Sequence, residues 1–306
     1  MNKVVLVGCG NVGMAYAYAL IASNNKVDEL VLVDINYKRA YGESLDLLHA
    51  SAISPRKINI KAGTYADCAD ATIVCICAGR NQEEGETRDD LIDKNLCVFK
   101  AIIGEINKTN FNGIYLIATN PLDVMTYVTF KLSGLPANKI IGSGTTLETA
   151  RLRYLVSEEL DINPKNIHAY AIGEHGDSVT VAWSSAVIGL RSATNFLDLE
   201  TRNKILYDVR NSAYKIIKDK GNTAFGIGMC LKNITEAILS NSNSILTICS
   251  YDEQRDICVS LPTIINQHGV REVVDLDLTD EEKYEFEQSC HTIRTNIDSI
   301  KHKCRL

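Results

Sequence analysis

The chain has 306 residues, 45% hydrophobic and 23% charged, which is room for two domains or one large α/β domain and is too apolar for disorder. Its formal net charge of −6 disfavours duplex nucleic acid or an anionic membrane as partner, but leaves open a small anionic substrate drawn by local arginines. Ten cysteines occur without a Cys-x-x-Cys pair, so neither a zinc site nor a thioredoxin-like motif has a basis; no metal is expected, and most of the thiols read as small buried hydrophobes of a reducing compartment. Met1-Asn2-Lys3 leads straight into a strand without a signal-peptide layout, and no apolar run approaches the roughly 18 residues that span a bilayer, so a soluble, cytoplasmic protein is expected.

Val4-Val5-Leu6-Val7 is a β-branched run suited to a buried parallel strand. It enters Gly8-Cys9-Gly10-Asn11-Val12-Gly13, and Met14 to Ser23 then reads as a small-residue, apolar helix. This is G-x-G-x-x-G between strand and helix, where glycines make the tight turn and let a helix N-terminus approach a pyrophosphate. A second strand, 29–34, ends on Asp34, 21 residues after Gly13, placed for the ribose hydroxyls of an adenosine. A carboxylate there repels a 2′-phosphate, which favours NAD over NADP. Strands are expected at 58–62, 71–78, 113–119 and 139–142, and helices at 38–49, 89–106 and 123–132, the alternation of a doubly wound sheet. Two loops at strand ends carry candidate chemistry. One, 79–88, sets Gly79 and Gly85 in a polar stretch with Arg80, Gln82 and Arg88; it suits a lid over a site and equally a solvated surface loop. The other, Thr119-Asn120-Pro121-Leu122-Asp123, puts Asn120 at the carboxyl end of a strand, where ligands bind in open α/β sheets.

Gly142-Ser143-Gly144-Thr145-Thr146 leads into a helix bearing Glu148, Arg151, Arg153 and Tyr154. The i, i+3 spacing lets Glu148 and Arg151 face one cleft, although a surface salt bridge has the same spacing. A strand at 167–172 runs to Ile172-Gly173-Glu174-His175-Gly176-Asp177-Ser178. There a histidine, able to exchange a proton near neutral pH, stands between glycines with a carboxylate on each side. Taken alone it is equally a surface-turn histidine. Apolar alternation over 179–188 suggests antiparallel strands; helices at 199–218 and 223–240, strands at 244–250 and 257–262, and a charged helix at 280–300 complete an α+β second half. The expected organisation is an N-terminal Rossmann domain over 1–145 and a catalytic α+β domain over 146–306.

The segments GCGNVG, VLVD, AGRNQEEGETR, TNPLD, GSGTTLETARLR, IGEHGDS and KGNTAFGIG, in this order, resemble the L-lactate and malate dehydrogenase family over nearly the whole chain, in its bacterial form. The resemblance implies NAD, held by Gly8, Gly10, Asn11, Val12, Gly13, Asp34, Gly79, Asn120 and Ile227. It implies His175 as the acid/base for a substrate carbonyl, Arg151 as the bidentate partner of the substrate carboxylate, and Arg88 as the closing charge on the reacting oxygen. Asn120 and Thr223 would line the substrate pocket. Glu148 stands where the family carries the aspartate that orients the histidine; the charge is kept, and one methylene more must be absorbed. Gln82 stands where malate dehydrogenases carry an arginine for a second carboxylate, and the neutral amide, with acids Glu83, Glu84 and Glu86 around it, favours pyruvate and lactate over a dianion. Arg153 and His168 match positions where bacterial relatives bind fructose 1,6-bisphosphate, and the family implies a homotetramer. A malate or other 2-hydroxy acid dehydrogenase, and a non-catalytic NAD-binding protein, are the alternatives.

Overall fold

In the computed structural model the chain is described over residues 1–80 and 88–304, with side chains for all of these except 88, 89 and 302–304. The first half alternates as expected: β1 (Lys3–Val7), α1 (Asn11–Ile21), β2 (Glu29–Val33), α2 (Tyr37–Ser51), β3 (Asn59–Ala62), β4 (Ile73–Ile76), α3 (Arg88–Asn107), β5 (Ile114–Ile117), α4 (Leu122–Ser133) and β6 (Ile140–Gly142). These strands pair in parallel in the order 3-2-1-4-5-6, so the glycine-rich loop after β1 lies where the strand order reverses. The buried runs Val4-Val5-Leu6-Val7 and Ile73-Val74-Cys75-Ile76 show why: apolar on both faces, they are stable only between two helical layers.

The second half comprises α5 (Thr146–Leu160), β7 (Ile167–His168), β8 (Ala171–Ile172), β9 (Thr180–Val181), β10 (Val187–Ile188), β11 (Arg191–Ser192), α6 (Leu199–Lys220), α7 (Phe225–Leu239), β12 (Ser244–Asp252), β13 (Ile257–Asn266), β14 (Gly269–Val273) and α8 (Asp280–Cys304). The antiparallel strands expected here are present, with a topology the sequence left open. The 179–188 stretch is two short strands in different sheets, β9 on β8 and β10 between β7 and β11, because the chain turns at Trp183. The long strands β12 and β13 do not build a separate sheet either: with β14, which the sequence reading did not foresee, they extend the parallel sheet antiparallel from β6, joined at Cys249 opposite Gly142.

Two apolar layers sandwich that nine-stranded sheet, and each draws on both halves of the chain. One joins Leu6, Tyr16, Leu20 and Leu32 to Ile227, Leu231, Ile234 and Ile248. The other joins Val5, Phe99 and Ile117 to Val259, Ile293 and Ile297. A third cluster, from Leu152 to Val209, lies wholly within the second half. Among the described residues no helix is long and apolar enough to cross a membrane, no group of side chains could hold a metal ion, and the nine cysteines whose side chains are described are free thiols, seven of them buried.

Candidate active site

The β1–α1 loop owes its shape to its glycines. Gly8 has φ +101, and a Cβ there would lie 2.5 Å from the backbone nitrogen of Ala78; one on Gly13 would lie 2.1 Å from the Gly8 carbonyl. A Cβ on Gly10 would meet nothing within 4 Å. Two of the three glycines are therefore demanded by packing, and the third keeps a space clear. That space lies over the N-terminus of α1, which has no side-chain cap and no acid in its first turn, so its unpaired N–H groups are available to an anion. Asn11 is exposed and Val12 half-buried at this end. The Asp34 carboxylate accepts from the backbone N–H of Cys9 at 2.8 Å and of Asn36 at 2.9 Å, which sets an acid beside the loop at the end of β2. A cleared anion site with a carboxylate next to it fits a dinucleotide, pyrophosphate on the helix and ribose on the acid.

The neighbouring strand ends carry Gly79, where a Cβ would lie 2.4 Å from the Thr119 methyl, and the exposed Asn120. They are joined by a residue the sequence reading did not single out. Asn95, fully buried in α3, accepts from the Arg80 N–H and donates to the Asn120 carbonyl, each at 2.7 Å. Its signal was available: a polar residue among Leu91, Ile92, Leu96 and Phe99 on the apolar face of a helix needs a partner. Gln82 lies outside the described residues, and so does the side chain of Arg88, the first residue of α3.

His175 follows β8 in a loop held by three elements. Gly173 exchanges backbone hydrogen bonds with Ser260 of β13, the Glu174 N–H reaches Ser289 of α8, and the His175 N–H donates to Asp123 Oδ2 in α4 at 2.9 Å. Nδ1 of His175 bonds Glu148 Oε2 at 3.1 Å, and the other oxygen of Glu148 accepts from Arg151 at 3.1 Å. Glu148 thus bridges the histidine and the arginine from the first turn of α5. Burial opposes the charge on the imidazole, but the Glu148 carboxylate outweighs it and pushes His175 up to about 9. Burial likewise opposes ionisation of Glu148, and the imidazolium holds that carboxyl below its ordinary value all the same. Near neutral pH the pair is imidazolium and carboxylate, with Nε2 left as the nitrogen able to transfer a proton.

Ile227, 8% exposed in α7, belongs to the same apolar layer that Val12 packs on, and Thr223 precedes that helix, which begins two residues later than the sequence suggested. Arg153 is turned inward: its Nε donates to the Ala169 carbonyl at 3.2 Å and its guanidinium stacks 5.2 Å from the Tyr170 ring, while His168 is exposed on β7.

Residues 2–142 match the lactate/malate dehydrogenase NAD binding domain, and residues 145–304 match the lactate/malate dehydrogenase alpha/beta C-terminal domain. The chain is 48% identical over 310 aligned residues to L-lactate dehydrogenase 2 of Bacillus cereus, covering 98% of each chain. It is 49% identical over 297 residues to the L-lactate dehydrogenase of Halalkalibacterium halodurans, covering 96% of each. Among solved structures it is similar to a lactate dehydrogenase from a Medee basin deep-sea metagenome library, with a TM-score of 0.95 and 44% identity over 98% of this chain and 99% of that one. The ligand-bound minor L-lactate dehydrogenase of Enterococcus mundtii gives 0.94 and 38%, with 98% of each chain covered. Matched along both halves, the chain belongs to the lactate/malate dehydrogenase family.

Proposed function

We propose that this chain is an NAD-dependent L-lactate dehydrogenase, interconverting pyruvate and L-lactate, with nucleotide binding by 1–145 and catalysis by 146–306. The observation that carries the reading is the His175–Glu148–Arg151 constellation, which sets a proton donor beside a carboxylate-binding guanidinium. NADH, when bound, supplies the hydride. Arg151 takes the substrate carboxylate in a two-point hydrogen bond and so fixes the orientation of the carbonyl. His175, held charged by Glu148, hydrogen-bonds the carbonyl oxygen through Nε2 and gives up its proton as the alkoxide develops. In the reverse direction the neutral imidazole accepts the lactate hydroxyl proton. Arg88 would add positive charge at that oxygen, and Asn120 and Thr223 would line the pocket. Gly8, Gly10, Asn11, Val12, Gly13, Asp34, Gly79 and Ile227 would hold the cofactor.

The choice of pyruvate over oxaloacetate rests on Gln82, whose neutral amide leaves a second carboxylate without a cation in a closed site. The test is NADH oxidation with pyruvate and with oxaloacetate, with and without fructose 1,6-bisphosphate. Pyruvate turnover is expected, and Gln82→Arg should raise the oxaloacetate to pyruvate ratio of kcat/KM by tenfold or more, on the order of a single charge pair. No absorbance loss with either substrate refutes the dehydrogenase; an unchanged ratio refutes the role of residue 82.

The reading extends to a cytoplasmic homotetramer with a bisphosphate effector site at Arg153 and His168. The free thiols support a reducing compartment. An exposed apolar stripe on α2, Tyr37, Tyr41, Leu45 and Leu48, supports self-association. Sedimentation with and without the bisphosphate measures both.

A further inference from the structure

The end of β4 carries two thiols. Cys75, fully buried, and Cys77, half-buried just past the strand, share one face and bring their sulfurs to 3.8 Å. That face belongs to the apolar layer on which Val12 and Met14 pack, beside the glycine-rich loop. The Cys77 N–H donates to the Val7 carbonyl at 2.9 Å, immediately before Gly8, and the next residue, Ala78, is the one a Cβ on Gly8 would strike. The segment is held from the other side too: the Ala78 carbonyl accepts from Thr119 Oγ1 at 2.8 Å, and the Arg80 N–H donates to Asn95. A second pair, Cys249 and Cys258, also share a side-chain hydrogen bond, but both are sealed in the core. Service as small buried hydrophobes accounts for Cys75, Cys249 and Cys258. It does not account for Cys77, a thiol at the edge of the proposed cofactor cleft in contact with a second sulfur.

We propose that Cys75 and Cys77 are an oxidative modification site: hydrogen peroxide joins them in a reversible disulfide that distorts the dinucleotide loop and weakens cofactor binding, while bound cofactor shields the pair. The inference rests on the glycine-rich loop being the NAD site. Cys77 reacts first because it is the reachable sulfur. Burial pushes the Cys75 thiol well above its ordinary value, and burial, then the Asp34 carboxylate, push Cys9 in the loop itself up to about 12. The Cys77 sulfur attacks one peroxide oxygen and breaks the O–O bond, leaving a sulfenic acid and, with the thiol proton, a first water. The Cys75 sulfur then displaces hydroxide from the Cys77 sulfur, and the Cys75 proton leaves with it as the second water. The two thiols together lose two electrons, and one peroxide is reduced to two waters. Residues two apart on an extended strand stand about 6.6 Å apart at Cα, near the long limit for a disulfide, whose usual span is about 5.5–6 Å. Closing the bond therefore draws Cys77 toward Cys75 by about 0.5–1 Å, which shifts Ala78 against Gly8 and strains the hydrogen bond to Val7. Strain also makes the bond easy to reduce, as befits a transient disulfide in a reducing compartment.

Reduced protein is treated with hydrogen peroxide, with and without NADH, then alkylated and digested with trypsin. The tryptic peptide 62–80 holds Cys68, Cys75 and Cys77. It should lose the mass of two hydrogens with Cys68 still alkylated, and dithiothreitol should restore it. NADH affinity, read by fluorescence, should fall on the order of tenfold in the oxidised protein and recover on reduction. NADH at about 100 times its Kd leaves on the order of 1% of chains unliganded and should slow the oxidation about 100-fold. Cys75→Ala removes one sulfur behind the cleft, so it should bind NADH like the reduced wild type and show no loss of two hydrogens. Three alkylated cysteines in 62–80 after peroxide, a bond from Cys77 to Cys9 or Cys97, or a loss that persists in Cys75→Ala overturns the proposal. So does an oxidised pair that binds NADH as tightly as the reduced one, or an oxidation rate that NADH does not slow. If Cys75→Ala does not fold, the wild-type peptide decides alone. The peptide mass needs no cofactor, so a reduced protein that never binds NADH would sink the NAD assignment while the bond between the two thiols is still read directly.

Discussion

Glu148 is the residue on which the chemistry proposed for the site turns. Its extra methylene, relative to the aspartate the family resemblance implies, is absorbed while both oxygens find partners, His175 on one and Arg151 on the other. Glu148→Gln keeps the shape and removes the charge, so His175 should titrate near its ordinary value of about 6.5, because burial is then offset only in part, by Asp123. Pyruvate reduction at about pH 7.5 should drop at least about tenfold from loss of the protonated form alone, with kcat recovering toward about pH 6. A pH profile superimposable on wild type would contradict the ion pair. The same pair links folding to pH. His175 is raised, so its contribution is complete below about pH 6.5 and is lost as pH rises through about 9. Glu148 is lowered, so its contribution is present above its unfolded value and disappears in acid. His175 and Arg151 were legible in the sequence because their segments are long and specific. Asp123 was not, since an acid in the first turn of a helix is already accounted for by the helix dipole.

Among the elements, α4, the β12–β13 hairpin and α8 meet on one carboxylate. Asp256, in the hairpin turn, accepts from Tyr127 and Lys131 of α4, Tyr251 of β12, and Arg294 and Lys301 of α8, at 3.0–3.5 Å. Burial opposes its ionisation, but Lys131 leads a set of partners that hold its carboxyl well below the ordinary range. The side chain is 39% exposed, so solvent screens the pairs, yet removing it leaves three cations and two phenols together. Asp256→Ala should cost about 1–3 kcal/mol in urea unfolding at neutral pH, with Asp256→Asn costing less. The difference between wild type and Asp256→Ala should shrink in acid, where the depressed carboxyl finally protonates. Equal urea midpoints at neutral pH would show that the cluster adds nothing. The hairpin strands were readable from their β-branched runs; the knot was not, because its six residues are brought together from three separate stretches of chain.

At the scale of the molecule, both helical layers cross the proposed boundary at residue 145. α7 and α8 cover the sheet with Ile227, Leu231, Ile234, Ile238, Ile293, Ile297 and Ile300, all buried. Each such side chain is worth about 1.5–3 kcal/mol on burial. Removing them would expose more than ~10 kcal/mol of apolar contact, comparable with the whole stability of a typical domain. Tyr16 and Thr235 add a buried hydroxyl pair at 2.6 Å between α1 and α7. A fragment spanning 1–145 is therefore expected to show no cooperative thermal transition and poor amide dispersion by NMR. A fragment that melts sharply would mean that the two halves fold independently.

By itself the sequence determined the alternating strands and helices of the first half and the glycine-rich loop with Asp34, because short-range periodicity and glycine-dependent turns are local properties, whereas the proposed His175, Glu148 and Arg151 set came from the family resemblance of its segments. The tertiary structure alone decided that β12 to β14 extend the parallel sheet, that Glu148 bridges two residues, that Asn95 ties the two strand-end loops together, and that Asp123 ties one of them to the His175 loop. Each of these depends on which distant segments share a buried edge or a buried hydrogen bond, and the satisfaction of buried polar groups is settled by packing in three dimensions, with no periodic trace along the chain.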